Sequence, residues 1–193
     1  MKKLKITNNS PAVLGFALAS LAVLILGFLT GGSSTKLLFM TYHSPLTNPL
    51  TWVRFFTHVL GHNGWAHFIG NMSYILLLGP MLEEKYGSGK VLGVISITAL
   101  VTGVVNYFLF PSVALCGASG VVFAFILLVS FTNVREGEIP LTVLLVALIF
   151  IGQQVYEGIF LRDNVSNLSH ILGGLVGAVA GYKLNIGKRK GTV

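Results

Sequence analysis

Cysteine is almost absent: Cys116 is the only one in 193 residues, which excludes an internal disulfide framework and a cysteine-based zinc site. Charge is scarce as well, at 10% of residues, with six acidic side chains against thirteen Lys and Arg. A chain that is 53% hydrophobic with a mean hydropathy of +0.79 has too much apolar surface to hide in one water-soluble core. It reads as an integral membrane protein held together by helix packing. The formal charge of +7 does not mark a nucleic-acid binder, because the basic residues form no patch interleaved with aromatics. They fall between hydrophobic runs, where they act as topology signals. His-Glu-x-x-His is missing, which argues against a helix-borne metalloprotease.

What is present is a series of apolar runs. The fold class expected is all-α, a compact bundle of six transmembrane helices with an outer segment between the first two. The spans are about 11–30, 66–82, 91–110, 117–134, 139–160 and 167–185, each near the roughly 20 residues that cross a bilayer. No repeat or low-complexity tract divides them, so residues 1–193 are expected to be a single domain. The first span follows Met1-Lys2-Lys3-Leu4-Lys5 and reads as a retained helix, being long for the apolar core of a cleaved signal. The second is short, which suits an outer end buried among other helices. With both termini cytoplasmic, Lys2, Lys3, Lys5, Lys85, Lys90, Arg135, Lys183, Lys188, Arg189 and Lys190 lie inside and only Lys36, Arg54 and Arg162 outside, in keeping with the positive-inside rule. Residues 31–65 then form an outer connection with interfacial aromatics. The protein is thus expected in the cell membrane as a multi-pass chain.

Polar residues inside spans are expensive and so direct attention to function. They gather at the outer ends of the second, fourth and sixth spans: His67 with Asn71 one turn on, Ser119, and His170. Ser119 sits between small residues in Cys116-Gly117-Ala118-Ser119-Gly120. Gly117, Gly120 and Ala124 give the fourth span a small-residue side, and Gly173, Gly177 and Gly181 repeat every four residues on the sixth, a spacing that lets helices approach closely. That approach is expected to bring His170 to Ser119. A serine hydroxyl needs a base to become a nucleophile, and neutral histidine is available for that near pH 7. Ser119 N–H, Asn71 and His67, with Gly117 beside them, are placed to receive an oxyanion. No acidic third member is visible, so a dyad is the simpler arrangement, with Phe123 one turn below Ser119 available to stack on His170. Asn106, Gln153 and Gln154 are left without a role.

These residues resemble the rhomboid family of intramembrane serine proteases. The likeness runs from Trp52 to about Gly181 through His62-x4-His67-x3-Asn71, Gly117-Ala118-Ser119-Gly120 and His170-x-x-Gly173-x-x-x-Gly177. Leu78 to Lys90 looks like the family's exit from its second helix, and six spans match the minimal bacterial form. The resemblance implies a Ser119–His170 dyad with His67 and Asn71 assisting the oxyanion. It implies cleavage within or near transmembrane segments of single-span or polytopic membrane proteins in the lipid bilayer. Neither a metal nor an organic cofactor is expected, nor a nucleic-acid partner. The family's gate, its fifth helix and the loop before the sixth, corresponds here to the region holding Phe150, Tyr156, Phe160 and Leu161. Two departures stand out: Val53 separates Trp52 from Arg54, and Phe123 stands where the family commonly has tyrosine. His62, five residues before His67, is expected to point elsewhere and to serve the outer loop. The alternatives are a catalytically inactive relative that binds transmembrane helices and a small channel; Cys116 reads as a packing residue.

Overall fold

The computed structural model describes residues 7–132, 140–156 and 167–186. Lys2, Lys3, Lys5, Arg135, Arg162, Lys188, Arg189 and Lys190, together with Phe160 and Leu161, lie outside them. Among the described residues the chain forms eight α-helices: α1 (Pro11–Leu29), α2 (Ser33–Leu38), α3 (Pro49–Thr57), α4 (Trp65–Tyr86), α5 (Ser88–Leu109), α6 (Ser119–Ser130), α7 (Leu141–Tyr156) and α8 (Asn167–Ile186). One isolated antiparallel bridge joins Thr41 to Leu115, with an N–H···O bond of 2.9 Å in each direction. It ties the connection before α3 to the one before α6.

Local chemistry sets the helix ends. Pro11 and Pro49 start α1 and α3 where a missing N–H is harmless, and Asn48 accepts a 3.0 Å bond from Leu50 N–H as the α3 cap. Gly31 and Gly32, with φ of 59° and 87°, turn the chain from α1 into α2 through a conformation that side chains disfavour. α6 lies at the centre of the bundle: Val121, Ala124, Phe125 and Leu128 are fully buried, and α4, α5, α7 and α8 all pack on it. The outer faces are apolar too, with Leu18, Leu77, Ile97, Leu148 and Leu175 exposed. Such a surface suits contact with lipid. Among the described residues two helices, α1 and α5, are long and apolar enough to cross a membrane by themselves, with mean hydropathies of 2.6 and 1.9.

Two expectations about length change places. α4 is not short: it runs 22 residues, and its first turn is open, with Trp65 and Ile69 exposed. The charged Glu83-Glu84-Lys85 run does not end it, because Glu83 is buried and its carboxylate accepts the N–H groups of Ala12 and Val13, both at 2.9 Å, at the start of α1. Those are N–H groups that α1 cannot satisfy from within. The short helix is α6, whose 12 residues rise about 18 Å. Its N-terminus lies in the interior, with Ala118 and Gly120 buried on either side of Ser119, so it does not need the full thickness expected of residues 117–134.

Candidate active site

The site begins with three missing side chains. A Cβ on Gly173 would fall 2.1 Å from the Gly120 carbonyl oxygen, one on Gly177 2.0 Å from that of Ala124, and one on Gly181 2.6 Å from Phe131 Cβ. The backbones of α6 and α8 therefore touch at Gly173 and Gly177, while Gly181 makes room for the Phe131 side chain just past α6, the close approach that small residues permit. Ser119 precedes Gly120, and His170 stands one turn before Gly173. Helix contact fixes the distance between them: His170 Nε2 lies 2.8 Å from Ser119 Oγ.

The imidazole is held on two further sides. Phe123 stacks on it with ring centroids 4.7 Å apart and planes 4° from parallel, and Phe150 of α7 meets Phe123 edge-on at 5.2 Å. His170 Nδ1 lies 2.6 Å from Gln154 Oε1, also on α7. The family-atypical phenylalanine thus keeps the stack without a hydroxyl. Gln154 is a contact to which the sequence assigns no role, because it lies 16 residues before His170 on the preceding helix and a lone amide carries no motif. Glu157 and Asp163 lie outside the described residues.

On the other side of Ser119 are His67 and Asn71. Gly117 has φ of 123°, and a Cβ there would lie 2.6 Å from His67 Nε2 and 3.5 Å from Asn71 Nδ2. Glycine thus leaves open a small space faced by both side chains. His67 Nδ1 accepts a 3.4 Å bond from Asn63 N–H, so Nε2 carries the ring proton and is the donor. Asn71 is buried, and its Nδ2 has no hydrogen-bond partner among the described residues. A buried, unmatched donor is unfavourable unless something arrives to accept from it. Ser119 N–H belongs to the first turn of α6, where N–H groups lack intrahelical acceptors. Gly117 differs from expectation: its own N–H is engaged, donating to the His58 carbonyl at 2.9 Å. Its part in this pocket is the space it leaves.

The segment between α1 and α4 braces that pocket. Arg54 is buried, donates from Nε to the Leu37 carbonyl at 2.8 Å and lies over the Tyr42 ring at 4.5 Å, whereas Trp52 is exposed and donates to the Leu46 carbonyl. Val53 between them lets one residue point inward and the other outward. His58 donates from Nε2 to the Ala99 carbonyl at 3.0 Å, and burial pushes its pKa down to about 4. His62 is lowered to about 4 by burial as well. Its ring sits 5.1 Å from that of His67, edge-on, so it does not point elsewhere. The five-residue spacing misled because α4 starts only at Trp65, which puts His62 on a loop that folds back over the helix. Cys116 donates to Asn63 Oδ1 at 3.3 Å, and burial pushes its thiol up to about 11. A thiol so protonated is a packing group, not a nucleophile.

The family described as Rhomboid domain matches residues 49–186, more than two thirds of the chain. The chain is 29% identical over 141 residues to proteins named Rhomboid protease GlpG from Salmonella newport (strain SL254), Salmonella heidelberg (strain SL476) and Salmonella agona (strain SL483), an alignment covering 72% of this chain and 51% of each relative. The chain spans about half the length of the curated relatives it matches. With the family pattern extending from α3 through α8, the chain belongs to the rhomboid family, whose members are integral membrane proteins.

Proposed function

We propose that this protein is an intramembrane serine endopeptidase that uses Ser119 and His170 to hydrolyse peptide bonds in or beside transmembrane segments of other membrane proteins. The observation that carries the reading is the 2.8 Å approach of His170 Nε2 to Ser119 Oγ, with the ring held by Phe123. In this reading one domain crosses the membrane six times through α1, α4, α5, α6, α7 and α8. Both termini are cytoplasmic, and His67, Ser119 and His170 lie towards the outer face.

The chemistry follows from the geometry. Ser119 Oγ attacks the scissile carbonyl carbon while its proton passes to His170 Nε2. The carbonyl oxygen, now negative, moves into the space over Gly117 and receives hydrogen bonds from His67 Nε2–H, Asn71 Nδ2–H and Ser119 N–H. Each such donor contributes about 3 kcal/mol. The C–N bond breaks as His170 delivers the proton to the leaving amine. Water then attacks the acyl-serine with His170 as base, and collapse frees the acid and returns the proton to Ser119 Oγ. No step calls for a metal or an organic cofactor.

Reconstitution in liposomes with a model single-span substrate that carries a small-residue, glycine-bearing helix tests the reading. Cleavage near the outer boundary is expected for the wild type and for Cys116→Ala, and is lost in Ser119→Ala and in His170→Ala. Cleavage that persists in either of those two sinks the dyad. An intact wild type that neither cleaves nor reacts with a serine-directed fluorophosphonate would favour an inactive, helix-binding relative.

A further inference from the structure

The Ser119–His170 pair works only if the imidazole holds its proton on the correct nitrogen. Neutral histidine has one N–H and one acceptor nitrogen. To take the Ser119 proton, Nε2 must be the bare one, and the ring proton must sit on Nδ1. In a soluble serine protease a buried aspartate enforces that choice by accepting from Nδ1–H. Here α6, α7 and α8 carry no Asp or Glu among their described residues; their titratable side chains are His170 itself, Tyr156, Tyr182 and Lys183. Lys183 is 13 residues along α8 from His170, about 20 Å away. α5, which also packs on α8, adds Lys90 at one end and Tyr107 at the other, the latter donating to the Ser44 carbonyl.

What stands at Nδ1 is Gln154. Its side chain is 3% exposed and its Oε1 lies 2.6 Å from Nδ1. A carbonyl oxygen can only accept, so with this orientation Nδ1 is the donor and Nε2 faces Ser119 Oγ as the acceptor. The reverse orientation of the amide would present N–H to Nδ1, move the ring proton to Nε2 and leave Ser119 without a base.

We infer that Gln154 is a positioning residue for the proposed reaction: from α7 it accepts the His170 Nδ1 proton and so holds the imidazole in the tautomer and orientation that Ser119 requires. The inference rests on the proposed dyad. Because Gln154 is on α7 whereas Ser119 and His170 are on α6 and α8, any outward movement of α7 removes this acceptor, so the strength of the base depends on how α7 is seated.

The test uses the full chain in liposomes, with kcat and KM for the model substrate measured between pH 5 and 9 and thermal unfolding followed in detergent. Gln154→Leu removes the acceptor, and kcat is expected to fall about 10²-fold, with KM within about twofold and the melting temperature nearly unchanged. Gln154→Met keeps the length without the amide and carries the same expectation should the leucine variant not fold. Gln154→Glu keeps an acceptor at the same reach. It is expected to recover most of kcat and, because a carboxylate favours the charged imidazolium, to move the acidic limb of the profile upward by about one pH unit or more. Wild-type kcat in Gln154→Leu overturns the inference. So does equal loss in Gln154→Leu and Gln154→Glu with an unmoved acidic limb, which would leave Gln154 a packing residue. Failure of the dyad itself looks different: a wild type in which Ser119 takes up no fluorophosphonate removes both.

Discussion

Adding one methyl group at Gly173 tests how the protein assembles its site. Alanine there places Cβ 2.1 Å from the Gly120 carbonyl oxygen, 2.8 Å from its carbon and 2.9 Å from its Cα. All three are backbone atoms, so no side chain can swing aside. Reaching an ordinary contact of 3.4 Å requires α6 and α8 to separate by about 1.3 Å, and overpacking of this kind costs roughly 1–3 kcal/mol. Ser119 is next to Gly120 and His170 is one turn from Gly173, so the same separation stretches the 2.8 Å Ser119–His170 approach to about 4 Å, beyond a hydrogen bond. A misplacement near 1 Å can lower a rate about 10²-fold. The neighbouring residue is an internal control: a Cβ on Gly174 meets only the Leu127 side chain, at 3.6 Å. Gly174→Ala should therefore keep full activity and gain stability, up to about 1 kcal/mol from helix propensity. Cleavage in liposomes and unfolding in detergent, measured on both variants, decide the matter. Wild-type rate and melting in Gly173→Ala, or equal damage in both variants, would refute the reasoning.

Further outcomes follow from the same contacts. Asn71→Ala removes one proposed oxyanion donor and should lower kcat about 10²-fold with little change in KM, as steady-state cleavage will show; an unchanged kcat takes Asn71 out of the pocket. Glu83→Gln leaves one acceptor oxygen where α1 now finds two, at Ala12 and Val13. A loss of about 2 kcal/mol should appear as earlier unfolding and as easier proteolysis ahead of α1. His58 is held neutral with a pKa near 4, against 6.5 for the exposed side chain, so between those values the unfolded chain binds more protons than the folded one. Stability is therefore unaffected above pH 6.5 and falls as pH drops from 6.5 towards 4, by up to about 3 kcal/mol from His58. Unfolding followed against pH, with His58→Gln flattening that slope, checks the sign.

Helix positions were partly legible in the sequence because apolar runs with basic punctuation leave few places for a chain to turn: α1 begins at Pro11 and α8 at Asn167, where the apolar runs begin, whereas α4 runs on to Tyr86 and α6 stops at Ser130. The glycine stripe was legible for a related reason. Its four-residue spacing encodes a helix face, and a face of glycines has only one use, close contact. Length was read less well. α6 looked as long as the others because apolar residues continue past Ser130, and nothing in composition separates a helix end from an apolar turn. The burial of Glu83 leaves no local signal, since its partners are the N–H groups of α1, 70 residues or more away. His62 escapes helical spacing because it lies on the loop before α4, which begins at Trp65. Gln154 and the engagement of the Gly117 N–H with His58 depend on tertiary contacts that leave no periodic trace.

The central claim is that His170 makes Ser119 nucleophilic, and intact mass measurement after fluorophosphonate treatment tests it most directly. One adduct is expected on wild-type protein in lipid, mapped to the peptide containing Ser119, with labelling abolished in Ser119→Ala and slowed by orders of magnitude in His170→Ala. Labelling of a different serine, or of Ser119 at the wild-type rate in His170→Ala, would contradict it.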